Sequence, residues 1–266
     1  MNNVFDFKRF GQYFLYDLRR ARNNYGLSLL ILGTMPIIIF VFYELIDLIF
    51  VQEGGSMDDA FKFMAIFIAI IVAVMGAGTK IYGSLTEKKA GSDFLMLPAS
   101  SLEKWLSMGI IVCIVIPLIL FGLQIASDAL MSFFFPNLYG DRVYALQPLQ
   151  EAKDTLIENG IHIKLEAIVF LNWCANILVF TLGAICFKKS KVAKTLLCIF
   201  ACSFLLSTLT FVFSGSNFNF YINLADRFDV PEKAIRALNW MMNISFTVII
   251  GGLLGGLYYR IRTLKH

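Results

Sequence analysis

Residues 61–79 read FKFMAIFIAIIVAVMGAGT, an almost unbroken apolar run. A helix needs roughly 20 mostly apolar residues to cross a bilayer, and this stretch is long enough. Five further runs of the same kind lie at 27–43, 105–127, 167–187, 195–213 and 238–259. An extended reading carries the first toward Phe50, with Glu44 and Asp47 at its outer edge. Pro36 and Pro117 fall inside the first and third runs and are expected to kink them. Composition agrees across the 266 residues: 58% hydrophobic, 16% charged, mean hydropathy +0.71. A soluble domain is about 45–50% apolar and about 25% charged. This chain lacks the polar surface that water requires, so the expected class is an all-α polytopic membrane protein with six transmembrane helices. It reads as a single transmembrane domain: a cytoplasmic interface helix over 1–26, a six-span bundle over 27–259 and a tail over 260–266. No cleavable signal peptide is expected.

Six spans put both termini on one side. That side holds 1–26, 80–104, 188–194 and 260–266, with 16 basic and 5 acidic residues. The other side holds the remaining 7 basic and 14 acidic residues, a balance of −7 against +11. The excess of Lys and Arg marks the cytoplasm, so both termini are expected there. Topology and anionic lipid account for the net +4, and no nucleic-acid partner is needed.

The cytoplasmic segments carry the most information. Residues 3–22 read NVFDFKRFGQYFLYDLRRAR, with Phe7, Phe10, Phe14 and Leu18 at helical spacing. An amphipathic helix lying in the interface follows, serving as a plain anchor or also docking a partner. Residues 84–110 read SLTEKKAGSDFLMLPASSLEKWLSMGI. Ser100 or Ser101 with Glu103 starts a helix as a capping box. The run Phe94–Leu95–Met96–Leu97 sits in a polar loop and must be covered by lipid headgroups or another protein.

The string FLMLPASSLEKW at 94–105, between the second and third of six spans, resembles the permeases of type-2 ABC exporters. Those proteins often carry an LP-[AV]-S-x-x-E-K stretch here. Their amphipathic N-terminal helix, six spans and cytoplasmic termini match the layout of the whole chain, although only about a dozen residues carry the sequence likeness. The resemblance implies that the loop forms a coupling helix docked on a separate ATP-hydrolysing subunit. It implies docking roles for Glu87, Lys88, Lys89, Asp93, Phe94, Leu95 and Leu97, with a second contact through Phe10 and Arg19. It also implies a working unit of two permeases and two ATPases, with ATP and Mg in the partner chain and no cofactor bound here. The implied location is the bacterial cytoplasmic (inner) membrane. The chain lacks the large outer domain of some exporters and gives no hint of substrate.

Other motifs bound the alternatives. No GxxxxGK[ST] phosphate loop occurs, so an ATP-driven process needs a second chain. His162 and His266 are the two histidines, and no HExxH or GxSxG pattern is present, so no catalytic residue and no metal site is expected. The cysteines, Cys113, Cys174, Cys186, Cys198 and Cys202, lie in apolar runs and read as packing residues. A short helix is expected over 151–159, and Asp229-Val230-Pro231 is a helix start. LNWCANI at 171–177 echoes LNWMMNI at 238–244. Their asparagines, Asn172, Asn176, Asn239 and Asn243, line an outer gate or make ordinary interhelical bonds. Gly251, Gly252, Gly255 and Gly256 form two overlapping GxxxG patterns for close helix packing, within the chain or with a second copy. Glu44, Asp47, Asp128 and Glu166 fall near outer boundaries where water reaches them. The absence of a central acid weakens, without removing, an ion-coupled secondary carrier. A non-transporting membrane scaffold or sensor also remains open.

Overall fold

A computed structural model describes residues 5–51, 56–87, 91, 94, 96–144, 165–214 and 231–263. All regular structure among them is helical: α1 (Phe7–Gly33), α2 (Met35–Ile46), α3 (Asp59–Tyr82), α4 (Ser101–Ile110), α5 (Ile116–Phe134), the single turn α6 (Pro136–Tyr139), α7 (Leu165–Cys186), α8 (Lys191–Ser214) and α9 (Pro231–Thr263). A π-helical turn, Asp47–Val51, extends α2, and another, Ile111–Val115, joins α4 to α5. Five helical stretches are long and apolar enough to cross a membrane, or six if the bent pair α1–α2 counts as one span. The expected helix at 151–159 lies outside the described residues, as does Glu166's side chain. The last helix begins at Pro231, as the sequence predicts, and runs unbroken through the final apolar run.

The N-terminal segment departs from expectation. It does not form a separate interface helix; α1 is one continuous helix into the first apolar run. The ridge it buries is Tyr13, Asp17, Ala21, Tyr25 and Leu29, at i, i+4 spacing, packed on α3, α4 and α5. Phe7, the first residue of the predicted apolar stripe, is 83% exposed, and Phe10, Phe14 and Leu18 are half-buried beside the ridge.

Pro36 falls at a bend as expected, whereas the helix at Pro117 runs on from Ser101 to Phe134 through a π turn; at both places a neighbouring side chain meets a carbonyl that the proline cannot serve. The α1–α2 pair bends by 49° around Thr34. Pro36 has no N–H to give the carbonyl of Leu32, and Ile37 donates to Thr34 instead of Gly33. The two released carbonyls accept from α5: Gln124 Nε2 to Leu32 O at 3.4 Å and Ser127 Oγ to Gly33 O at 2.9 Å. Pro117 withholds a donor from Cys113 O, which instead faces Cys174 Sγ of α7 at 4.0 Å. In a bilayer such carbonyls have no water to turn to.

α7 is the hub, packed on α3 and α9, with 56% of its apolar window buried, against 6% for α8. Small residues permit this. A Cβ on Gly78 of α3 would lie 2.6 Å from Thr181 Cα of α7, so the backbones meet only because that position is glycine. Of the four glycines in α9, Gly256 faces Leu182 of α7, and Gly251, Gly252 and Gly255 meet nothing within 4 Å among the described residues. Cys174 is buried in the core and Cys113 half-buried, whereas Cys186, Cys198 and Cys202 lie exposed on helix surfaces, not packed inside.

Candidate functional site

One end of the bundle gathers the starts of α1 and α4 and the last turns of α9; it is called the near end. Trp105 Nε1 of α4 donates to Leu254 O of α9 at 2.9 Å and its ring meets Tyr258 edge-on. Ser100 caps α4 as the sequence predicts. Its hydroxyl accepts from Glu103 N–H, and the Glu103 carboxylate accepts from Ser100 N–H at 2.7 Å. The same carboxylate, fully buried, accepts Asp6 N–H at 3.0 Å and the Arg9 guanidinium at 2.6–3.1 Å. Asp6 in turn caps α1, accepting from Lys8 and Arg9 N–H. Thus one carboxylate closes the first turns of two helices distant in sequence.

The loop before α4 is tied down beside it. Lys104 Nζ donates to Phe94 O at 2.7 Å and lies 4.7 Å from the Phe94 ring centroid. Phe94 is 2% exposed and belongs to the main hydrophobic core. This corrects the reading of Phe94 as a docking residue: neither lipid nor another protein covers it, because the chain's own helices do. Leu97 is half-buried against the same core. Met96, between them, is 77% exposed. Glu87 and Arg19 are exposed and Phe10 half-buried; Lys88, Lys89, Asp93 and Leu95 lie outside the described residues.

Deeper on α1, Asp17 is 1% exposed. Its Oδ2 accepts from Tyr82 OH of α3 at 3.0 Å and Ser107 Oγ of α4 at 2.8 Å, while Oδ1 has no hydrogen-bond partner among the described residues. A buried acid thus joins three helices, a feature that sequence spacing did not reveal. Arg20 donates to Ser84 Oγ at 2.9 Å, and Lys191 Nζ donates to Gly83 O, so the turn after α3 is held from both sides.

The far end has its own polar knot. Asp128 is buried, not water-facing as the sequence suggests. It accepts from Tyr139 OH at 2.6 Å and from the N–H groups of Val143 and Tyr144. Burial, then the bond to Asp128, pushes the Tyr139 hydroxyl above its ordinary pKa; burial does the same to Tyr144. Lys62 is also buried, bonded to Asp59 and Asp141 O and lying 4.4 Å over the Tyr139 ring.

Asn176 Nδ2 donates to Asn172 O and Oδ1 on one exposed face of α7. Asn243 is half-buried on α9, and the side chain of Asn239 lies outside the described residues. Among the described residues no group of His, Cys, Asp and Glu is arranged to hold a metal ion. Searches against known families, curated proteins and solved structures find no match to this chain.

Proposed function

We propose that this polytopic helical chain is the membrane-spanning permease subunit of an ABC exporter, working with a separate ATPase and a second permease. In this reading the near end faces the cytosol of a bacterium and ATP and Mg are handled by the partner. The support is the LPASSLEK loop at 97–104, placed between the second and third apolar helices, together with the way that loop is attached. The observation that carries it is the contrast within three residues: Phe94 is riveted inside while Met96 points outward. An exposed apolar residue on an internally anchored loop suits a contact that must transmit force. The docking face is therefore Met96 and Glu87, with Phe94 as the internal anchor.

The test is purification of the full chain from its native membranes in mild detergent. An ATP-hydrolysing protein should co-purify, and Met96→Asp should abolish its retention without lowering the yield of the chain. Retention of no ATPase by the wild type overturns the reading. Asp17 favours a second reading, an ion-coupled carrier, because a buried acid with one unpartnered oxygen is a coupling group of the right chemistry. Transport that survives ATP depletion but stops when the proton gradient is collapsed would select it.

A further inference from the structure

Between α1 and α5 runs a lateral groove of about 450 Å³. Ile81 of α3 and Ile111 of the π turn form its floor, and Leu30 and Ile119 stand at its rims. Gly26 interrupts the α1 wall: a Cβ there would meet only Arg22 Cγ, at 3.3 Å. The one hydroxyl in the lining, that of Tyr25, is already committed to Ala73 O. At the near end of this otherwise apolar slot are Arg19 and Arg22, both exposed. They are one helical turn apart on the same face. Neither has a carboxylate partner among the described residues, in contrast to Arg9, which is held by Glu103.

We infer that this groove binds one anionic phospholipid of the near-end leaflet, its acyl chain between α1 and α5 and its phosphate on Arg19 and Arg22. The dimensions agree. The rise from Leu18 to Leu30 along the groove is about 18 Å, and one leaflet of hydrocarbon is about 15 Å deep. The chemistry agrees as well. A soluble phosphate would pair with the arginines and leave the slot empty. A zwitterionic lipid would fill the slot and answer the paired guanidinium charges poorly. A basic pocket between helices on the cytoplasmic side is the usual setting for anionic headgroups. The inference rests on the chain crossing a membrane with the near end at its cytoplasmic surface, and not on the exporter reading. Failure to find an ATPase leaves it standing.

The experiment is native mass spectrometry of the full chain released from a neutral detergent. Equimolar phosphatidylglycerol and phosphatidylcholine with identical acyl chains are the probes. The wild type should retain phosphatidylglycerol preferentially, by roughly tenfold or more for two cationic contacts. Arg19→Gln with Arg22→Gln should erase the preference, and the Arg19→Lys, Arg22→Lys pair should keep most of it. Gly26→Leu fills the slot and should reduce retention of both lipids. Ile119→Trp serves the same purpose should Gly26→Leu fail to elute as the wild type does. Equal retention of the two lipids by the wild type overturns the proposal. So does a preference unchanged in the double glutamine variant, or lipid retention unchanged by filling the slot. A lipid-free dimer that dissociates when the slot is filled also overturns it, by naming a second copy as the occupant.

Discussion

Glu103 receives donors from three directions: its own helix cap, the backbone of Asp6 and the fork of Arg9. The first was legible, because a capping box is a local pattern that needs only Ser, two intervening residues and Glu. The other two were not, since residues 6 and 9 reach Glu103 only through the packing of α1 against α4. The geometry sets an order of effects. Ser100→Ala removes one cap bond and should cost about 1 kcal/mol. Glu103→Gln should cost more. Its amide NH₂ would face the donors that one carboxylate oxygen now accepts, and the half-buried Arg9 guanidinium would lose its counter-charge. Arg9→Lys should fall between, because an ammonium does not reproduce the two-pronged contact. Thermal unfolding of the detergent-solubilised chain, followed by tryptophan fluorescence, checks the ranking. Equal midpoints for Ser100→Ala and Glu103→Gln would contradict it.

The elements show where hydropathy patterns inform and where they mislead. The bend at Pro36 was readable, since a missing N–H is a property of the residue itself, whereas at Pro117 a π turn carries the helix on without a break. Which side chains repair the freed carbonyls was not readable, because Gln124 and Ser127 look like incidental polar residues in an apolar run. Their removal together, as Gln124→Leu with Ser127→Ala, leaves Leu32 O and Gly33 O without donors inside the bundle. A loss of roughly 1–3 kcal/mol is expected, read as earlier unfolding in a titration with denaturing detergent. Thr34→Ala, whose hydroxyl bonds only to its own helix, should change little by comparison. The N-terminal helix was misread for a related reason. Its packing ridge contains Asp17, and a search for an apolar stripe passes over any ridge with an acid in it. Tyr82 and Ser107 make that acid tolerable inside, and no spacing rule connects residues 17, 82 and 107.

At the scale of the whole molecule, the five or six long apolar helices were legible from composition and length alone. Their mutual arrangement was not. It depends on single close approaches such as Gly78 against Thr181, and on the greasy loop folding inward at Phe94. The anchoring of that loop predicts a labelling pattern in a background free of the five native cysteines. Met96→Cys should react with a membrane-impermeant maleimide supplied from the cytosolic side. Ser56→Cys should react from the opposite side, and Phe94→Cys should stay protected until the protein is denatured. Labelling of positions 56 and 96 from the same side would reverse the topology. Rapid labelling of position 94 in the folded chain would release the loop from its anchor.

The unbroken course of α1 has a mechanical consequence. Its 27 residues make a rod about 40 Å long, bolted to the start of α4 at one extremity and ending at the 49° elbow at the other. Stiffness of this kind passes a tilt along its length with little loss. A small swing imposed at Arg9 and Glu103 would therefore surface at Thr34, where Gln124 and Ser127 hold the joint by two replaceable hydrogen bonds.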